Sequence, residues 1–125
     1  MEKLNLPDVT ICAVDAIHPH LAKEAINRSC ELVDFADKVL ITPHIHSRQD
    51  YSLFMLTELH NYIHTPYVLI VQWDGWVINK DAWNPEFLEY DYIGAVWPWH
   101  PEGRRVGNGG FSLRSKRLLE LTAHD

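Results

Sequence analysis

The sequence is poor in cysteine and contains no long apolar run, and each shortage excludes a class of protein. Its two cysteines, Cys12 and Cys30, cannot build the disulfide framework of a small secreted domain. We expect both to be free, buried thiols in a reducing compartment. No apolar run approaches the roughly 20 residues that span a bilayer, and no charged-plus-apolar leader begins the chain. We therefore expect a cytoplasmic protein without a transmembrane segment.

Basic side chains are also few and scattered. The chain has 11 Lys and Arg against 17 Asp and Glu, a net charge of −6. A nucleic-acid-binding module needs a broad basic face, so we expect no nucleic-acid partner. Only the stretch from Arg104 to Arg117 is locally basic, which suits a small anionic ligand beside one loop.

Apolar residues make up 46% of the chain and are spread along its whole length. With 125 residues, this predicts one globular domain over residues 1–125. Runs rich in β-branched residues predict strands at 9–14, 38–42 and 67–72, and helical spacing predicts helices at 19–30 and 50–63. Strands that alternate with helices imply parallel strands joined by right-handed crossovers, an α/β fold.

After Gln72 the pattern changes to long loops rich in Trp, Pro, Asn and Gly. Short strands are predicted at 92–96 and 110–113, and a helix at 115–122 with Ser115 as its N-cap. The chain stops soon after this helix, with no glycine or proline to close it. We expect either a sequence truncated at its C-terminus or a naturally short family member.

An apolar strand runs directly into Gln72, Trp73, Asp74 and Gly75. In parallel α/β sheets, ligands bind just beyond the carboxyl ends of strands. A carboxylate there can hold Mg²⁺ or Mn²⁺, hard ions that also bind phosphate. Gly75 lets the backbone approach a ligand closely. The alternative is a plain Asp-Gly turn after a strand.

A glycine-rich run lies near the C-terminus. Its members are Gly107, Asn108, Gly109 and Gly110. So many glycines cost chain entropy and are tolerated where the backbone must approach a ligand. Arg104, Arg105 and Arg114 flank the run and can pair with phosphate. The alternative is a flexible loop.

All five tryptophans lie between residues 73 and 99. Trp97-Pro98-Trp99 offers flat apolar faces that stack on sugar rings or bases. The alternative is packing of a long loop over the core, which is also the simpler explanation for the aromatic anchors of residues 81–88.

Three runs together, VLIVQWDGWVIN, DAWNPEFLEYDYIGAVWP and VGNGGFSLRS, resemble a family of bacterial glycosyltransferases known as the DUF5672 family. The resemblance covers about Val39 to Leu119, and the QxDG and GNGGFSLRS motifs are specific in combination. It implies a GT-A-like fold, a Rossmann-like, mostly parallel sheet flanked by helices. It also implies transfer of a sugar from a nucleotide-sugar donor to a glycan or other acceptor. Residues 1–72 would be the nucleotide-binding half, and residues 73–125 would supply the donor and acceptor loops.

The same resemblance assigns site residues. GT-A enzymes bind a divalent metal and the donor diphosphate through an Asp-x-Asp motif, whose position here looks like Gln72-Trp73-Asp74. Because the first acid is Gln, bound Mn²⁺ or Mg²⁺ would have one carboxylate fewer, and Asp74 is the metal and catalytic candidate. Asn108 is the second catalytic candidate, in the sugar pocket. The implied donor- and substrate-binding residues are Asp15, Gln72, Trp73, Gly75, Trp97, Arg104, Gly107, Gly109, Gly110 and Arg114.

Two alternatives stay open. Inverting glycosyltransferases need a general base beyond the glycine run, where only Glu120 and Asp125 follow. The chain could therefore be an inactive, shortened module of the same fold that binds a glycan or assembles as a homodimer. Separately, His18-Pro19-His20 and His44-Ile45-His46 follow predicted strands and suit Zn²⁺ or Ni²⁺, unless they are surface or capping histidines.

Overall fold

The computed structural model describes residues 3–43, 47–72, 83–94 and 112–123, which form a mixed α/β structure around a five-stranded sheet. The strands are β1 Leu4–Val14, β2 Val33–Ile41, β3 Tyr67–Val71, β4 Tyr92–Gly94 and β5 Ser112–Ser115. The α-helices are α1 Pro19–Cys30, α2 Arg48–Thr57 and α3 Lys116–Ala123, and 3₁₀ helices span Leu59–Tyr62 and Pro85–Glu89. Within these ranges, no helix is both long enough and apolar enough to cross a membrane.

The strand order is β2-β1-β3-β5-β4, and the sheet is open and mostly parallel. β1 is parallel to both β2 and β3. β5 runs antiparallel to β3 and to β4, so β4 points the same way as β1, β2 and β3. The α/β class expected from the sequence is confirmed. We call the edge where β1 and β3 end the carboxyl edge, and the opposite edge the amino edge.

Two apolar clusters lie on the two faces of the sheet, because alternate residues of β1 and β3 point to opposite sides. One cluster packs Ile11 and Leu69 against Ala22 and Ile26 of α1. The other brings together α2, the first 3₁₀ helix and α3, and its buried members are Cys12, Val14, Ile41, Met55, Leu59, Ile63, Val68, Ile70 and Leu119. Burial on both faces explains why β3 and residues 9–14 of β1 read as nearly continuous apolar runs. β1 itself begins at Leu4, five residues before the predicted start at Val9, because its first part includes exposed polar residues that hide the strand pattern.

Helix α1 coincides with its sequence prediction. Pro19 occupies the first turn, and Ala22, Ala25, Ile26 and Ser29 form the buried stripe. Helix α3 begins one residue after Ser115, whose Oγ accepts a hydrogen bond from the Leu118 N–H at 3.0 Å. The predicted N-cap is therefore confirmed.

Other boundaries differ from the sequence predictions. β2 begins at Val33 rather than Lys38, because it is an edge strand whose exposed polar residues hide the pattern. The helix expected over 50–63 begins at Arg48, since Ser47 Oγ accepts the Asp50 N–H at 3.0 Å. It ends at Thr57, and the rest of the segment continues as the first 3₁₀ helix.

The other corrections concern β5 and the cysteines. β5 spans Ser112–Ser115 and so extends beyond the expected end at Leu113, while Gly110 and Phe111 lie outside the described residues. Both cysteines are free, but Cys30 is only half-buried, whereas Cys12 is buried as expected. Burial raises the pKa of the Cys12 thiol to about 12, so this thiol stays protonated and acts as a small apolar side chain.

Asp91 ties β4 to the start of α3 at the amino edge. Its Oδ1 accepts a hydrogen bond from Ser115 Oγ at 2.7 Å, and its Oδ2 pairs with Arg117 Nη2 at 2.7 Å. Its backbone carbonyl accepts the Ser115 N–H at 2.9 Å. The hydrogen bonds from Arg117 and Ser115 hold the pKa of the Asp91 carboxyl group below its usual value.

The depressed pKa of Asp91 predicts a pH-dependent contribution to stability. A carboxylate of this kind stabilises the fold above its unfolded-state pKa of about 4, and the contribution is lost as pH falls through the lower folded-state pKa. We expect Asp91→Asn to lower the Tm at pH 7, with the difference from wild type shrinking below pH 4. Thermal unfolding at pH 7 and at a pH below 4 measures the two differences in Tm. Glu89→Gln, at a nearby exposed carboxylate, is the control, and an equal Tm loss for Asp91→Asn at both pH values would contradict the assignment.

The second apolar cluster should be sensitive to cavities. Ile70 is fully buried on β3, so Ile70→Ala removes buried methyl groups and leaves a void. We expect a loss of about 2–5 kcal/mol in the free energy of unfolding, measured by urea titration. Leu121→Ala is the matched control, because Leu121 is 60% exposed and should change stability little. Equal effects of the two substitutions would refute this packing.

Candidate functional site

The order of the strands places a topological switch point at the carboxyl edge. The chain passes from β1 to β2 on one side, and then returns to β3 on the other side of β1. In open α/β sheets, the point where the strand order reverses leaves room for a ligand beyond the strand ends. β1 ends at Val14 and β3 leads into Gln72, so these ends flank the position where open α/β sheets form a ligand-binding crevice.

Asp15 organises the loop that leaves β1. Its Oδ1 accepts the backbone N–H groups of Ile17 at 2.8 Å and His18 at 2.7 Å. Its own N–H donates to the Ile41 carbonyl at 3.0 Å, which joins the ends of β1 and β2. Asp15 therefore holds the turn into α1 and places the first turn of that helix at the carboxyl edge.

Arg114 reaches the same edge from β5. Its Cα pairs with Val68, but its Nε donates to Ser112 Oγ at 3.1 Å. Ser112 lies opposite Ile70, so the guanidinium extends toward the carboxyl edge. The Arg114 Cζ also lies 5.2 Å from the centre of the Tyr92 ring, a cation–π contact that further fixes it.

Tyr51 completes this group from α2. Its ring packs against the second apolar cluster. Its hydroxyl is buried and has no hydrogen bond of normal geometry in the described part of the chain. Burial raises the pKa of Tyr51, while the nearby Gln72 side chain and the positive charge of Arg114 partly oppose the shift. Tyr51, Gln72 and Arg114 therefore lie close together.

The structure thus brings together three residues selected from the sequence, Asp15, Gln72 and Arg114, at one edge. The remaining candidates lie outside the described residues: Trp73, Asp74, Gly75, Trp97, Arg104, Gly107, Asn108, Gly109 and Gly110. Gln72, Gly94 and Ser112 border the two segments that carry these candidates. All three lie at the carboxyl edge, since Gly94 pairs with Ser112 and Ser112 with Ile70.

Sequence reasoning missed the functional interest of Tyr51 and Ser112. Tyr51 belongs to the apolar stripe of its helix, and this pattern predicted a core residue. Its phenolic oxygen was the only available signal, because a buried tyrosine hydroxyl normally needs a partner. Ser112 belongs to the strand predicted at 110–113, and the sequence assigned it no role in ligand binding.

The metal hypotheses find no support in the described residues. Among residues 3–43, 47–72, 83–94 and 112–123, no three His, Cys, Asp or Glu side chains are grouped so as to hold an ion. Asp74, the candidate ligand of Mn²⁺ or Mg²⁺, lies outside these residues. His18 lies at the start of α1, whereas His44 and His46 lie outside the described residues.

A shallow depression of about 400 Å³ lies at the opposite, amino edge and is lined in part by Tyr67, Asp91 and Lys116. Three of its charged groups already serve the fold. Asp91 pairs with Arg117, and Lys116 Nζ donates to the carbonyls of His60 and Ile63. We take the carboxyl edge as the candidate site for ligand binding, because the strand order reverses there.

Comparison with known proteins gives one match. A family model described as "Protein of unknown function (DUF5672)" matches residues 33–124, well over half of the chain. No curated protein and no solved structure matches the chain.

The turn at Asp15 can be tested by paired substitutions. Asp15→Ala removes the acceptor of two backbone N–H groups, so we expect a loss of about 1–2 kcal/mol in the free energy of unfolding. Asp15→Asn keeps an oxygen at this position and should remain close to wild type. Urea titration of both variants measures the difference, and equal losses would show that charge rather than the turn matters.

Proposed function

The chain belongs to the DUF5672 family, and we propose that it is a nucleotide-sugar-dependent glycosyltransferase with a GT-A-like fold. The donor would bind in the crevice at the carboxyl edge, and the sugar would pass to a glycan or other acceptor. The family is described without an activity. The support for the proposal comes from the residues themselves and from the resemblance of their motifs to glycosyltransferases.

One observation carries the proposal. Asp15, Gln72 and Arg114 come from three separate parts of the chain and meet at the edge where the strand order reverses. This is where open α/β sheets bind nucleotides and related ligands. The segments that contain Asp74 and Asn108 are joined to the sheet at the same edge, through Gln72, Gly94 and Ser112.

The described residues suit complementary parts of a donor. The Arg114 guanidinium is a strong partner for a diphosphate, and contacts to Ser112 and Tyr92 hold it in place. Gln72 offers an amide that both donates and accepts hydrogen bonds. Asp15 fixes the turn before α1, and thereby the backbone on the β1 side of the crevice.

The reacting centre is assigned by resemblance. Asp74 would face the leaving diphosphate, and Asn108 with the neighbouring glycine backbone would orient the sugar or acceptor. Stabilisation of the charge that develops on the leaving group is the main task of such a site. A divalent cation would supply part of that stabilisation if Asp74 bound one.

Calorimetric titration of UDP, GDP, CDP and their common sugars, each with and without Mn²⁺, tests the proposal. We expect one nucleotide class to bind and Asp74→Ala to weaken that binding at least tenfold. Asp34→Ala, an exposed aspartate at the amino end of β2, is the matched control and should bind as wild type.

The outcomes separate enzyme from binding module. Release of the nucleoside diphosphate from the sugar donor that binds best, with acceptor or water, supports a glycosyltransferase. Donor binding without any turnover favours the inactive module. If no nucleotide binds under any condition, the donor site does not exist and the proposal fails.

A further inference from the structure

The Tyr51 hydroxyl is the most unusual polar group in the described structure. It is buried, and no described residue gives it a hydrogen bond of normal geometry. Buried polar groups without a partner are rare in native proteins, and each calls for a specific explanation such as a missing water or ion. Tyr51 was expected to be a core residue, but its hydroxyl is not needed for apolar packing.

The groups around this hydroxyl identify the kind of partner it lacks. Gln72 lies beside it, one residue beyond the end of β3, and Arg114 is close enough for its charge to act on it. Asp15 supplies the opposing negative charge, but its Oδ1 already accepts two backbone N–H groups. Cys12 also lies nearby, as a protonated thiol.

Sheet geometry places these groups on one face. Cys12, Ile70 and Ser112 form a row across β1, β3 and β5, because they are register partners. Gln72 lies two residues beyond Ile70 and so points to the same face, about 7 Å nearer the carboxyl edge. Arg114 lies two residues from Ser112 and shares that face, which is also the face covered by α2.

The donor chemistry favours an anion over a cation. A guanidinium has only N–H donors, a phenol donates its O–H, and a glutamine amide offers two N–H groups. Oxygen atoms of a phosphate group accept such bonds, and a charged acceptor makes them stronger. The positive charge of Arg114 would repel a metal ion placed at the Tyr51 hydroxyl.

We propose that Tyr51, Gln72 and Arg114 form an oxyanion site that binds a phosphate or diphosphate group without a metal ion. This deepens the proposed function, because the group would be the diphosphate of the nucleotide-sugar donor. The site lies at the carboxyl edge on the face covered by α2. Tyr51 contributes its O–H, which finds its missing partner only when the ligand binds.

Titration calorimetry of the whole chain with pyrophosphate and inorganic phosphate, in EDTA and at low salt, tests this site. We expect pyrophosphate to bind more tightly than phosphate, since it carries more charge. Tyr51→Phe should weaken pyrophosphate binding about tenfold, because one hydrogen bond to a charged group is lost. Arg114→Gln should weaken it more. Tyr62→Phe is the matched control, as an exposed tyrosine close to the same helix.

Thermal unfolding without ligand provides a second measurement. Removing a buried hydroxyl that has no partner should leave the Tm of Tyr51→Phe unchanged or higher. A clear fall in Tm would overturn the proposal, because the hydroxyl would then serve the fold. Failure of pyrophosphate to bind the wild-type protein, or equal binding by folded Tyr51→Phe, would also overturn it.

The same variants separate this proposal from the broader one. If a nucleoside diphosphate binds and neither Tyr51→Phe nor Arg114→Gln affects it, the oxyanion site is wrong while the donor site stands. If pyrophosphate binding depends on both residues but no nucleotide sugar binds or reacts, the oxyanion site stands and the glycosyltransferase proposal fails.

Discussion

The parallel pairing of β1 with β3 is the constraint on which the rest of the structure depends. Five register pairs, from Val9 with Tyr67 to Ala13 with Val71, join two strands that are buried on both faces. The paired strands lie between the two apolar clusters. The other side of β3 pairs with β5, and β5 in turn pairs with β4. It also makes the strand order reverse at β1. The core and the carboxyl edge therefore depend on the same pairing, and a change that loosens β3 should affect both.

Sequence reasoning succeeded where local pattern and tertiary environment agree. Helix α1 has a proline at its start and a regular buried stripe, so its bounds were predicted correctly. β3 and the second part of β1 are buried on both faces and read as apolar runs, whereas the first five residues of β1, which are partly exposed, were not predicted. The prediction for β2 was too short, because β2 is an edge strand and the first half of it contains exposed polar residues. The antiparallel placement of β5 had no local signal, since strand direction is set by partners distant in the sequence.

The candidate site was predictable only in part, for a related reason. The rule that ligands bind at strand ends was enough to select Asp15 and Gln72. Arg114 was selected for its charge beside the glycine run, and its contacts with Ser112 and Tyr92 are tertiary. Tyr51 was missed because a tyrosine on an apolar stripe predicts packing, and only the folded structure shows that its hydroxyl is buried without a described partner.

The central claim is that the carboxyl edge binds the ligand. The most direct test is a series of ¹H–¹⁵N correlation spectra recorded during titration with UDP, GDP or CDP. The account predicts shift changes that concentrate at the amides of Asp15, Gln72, Gly94 and Ser112, with little change at Tyr67, Asp91 and Lys116 on the amino edge. Changes concentrated at the amino edge, or none with any nucleotide, would contradict it.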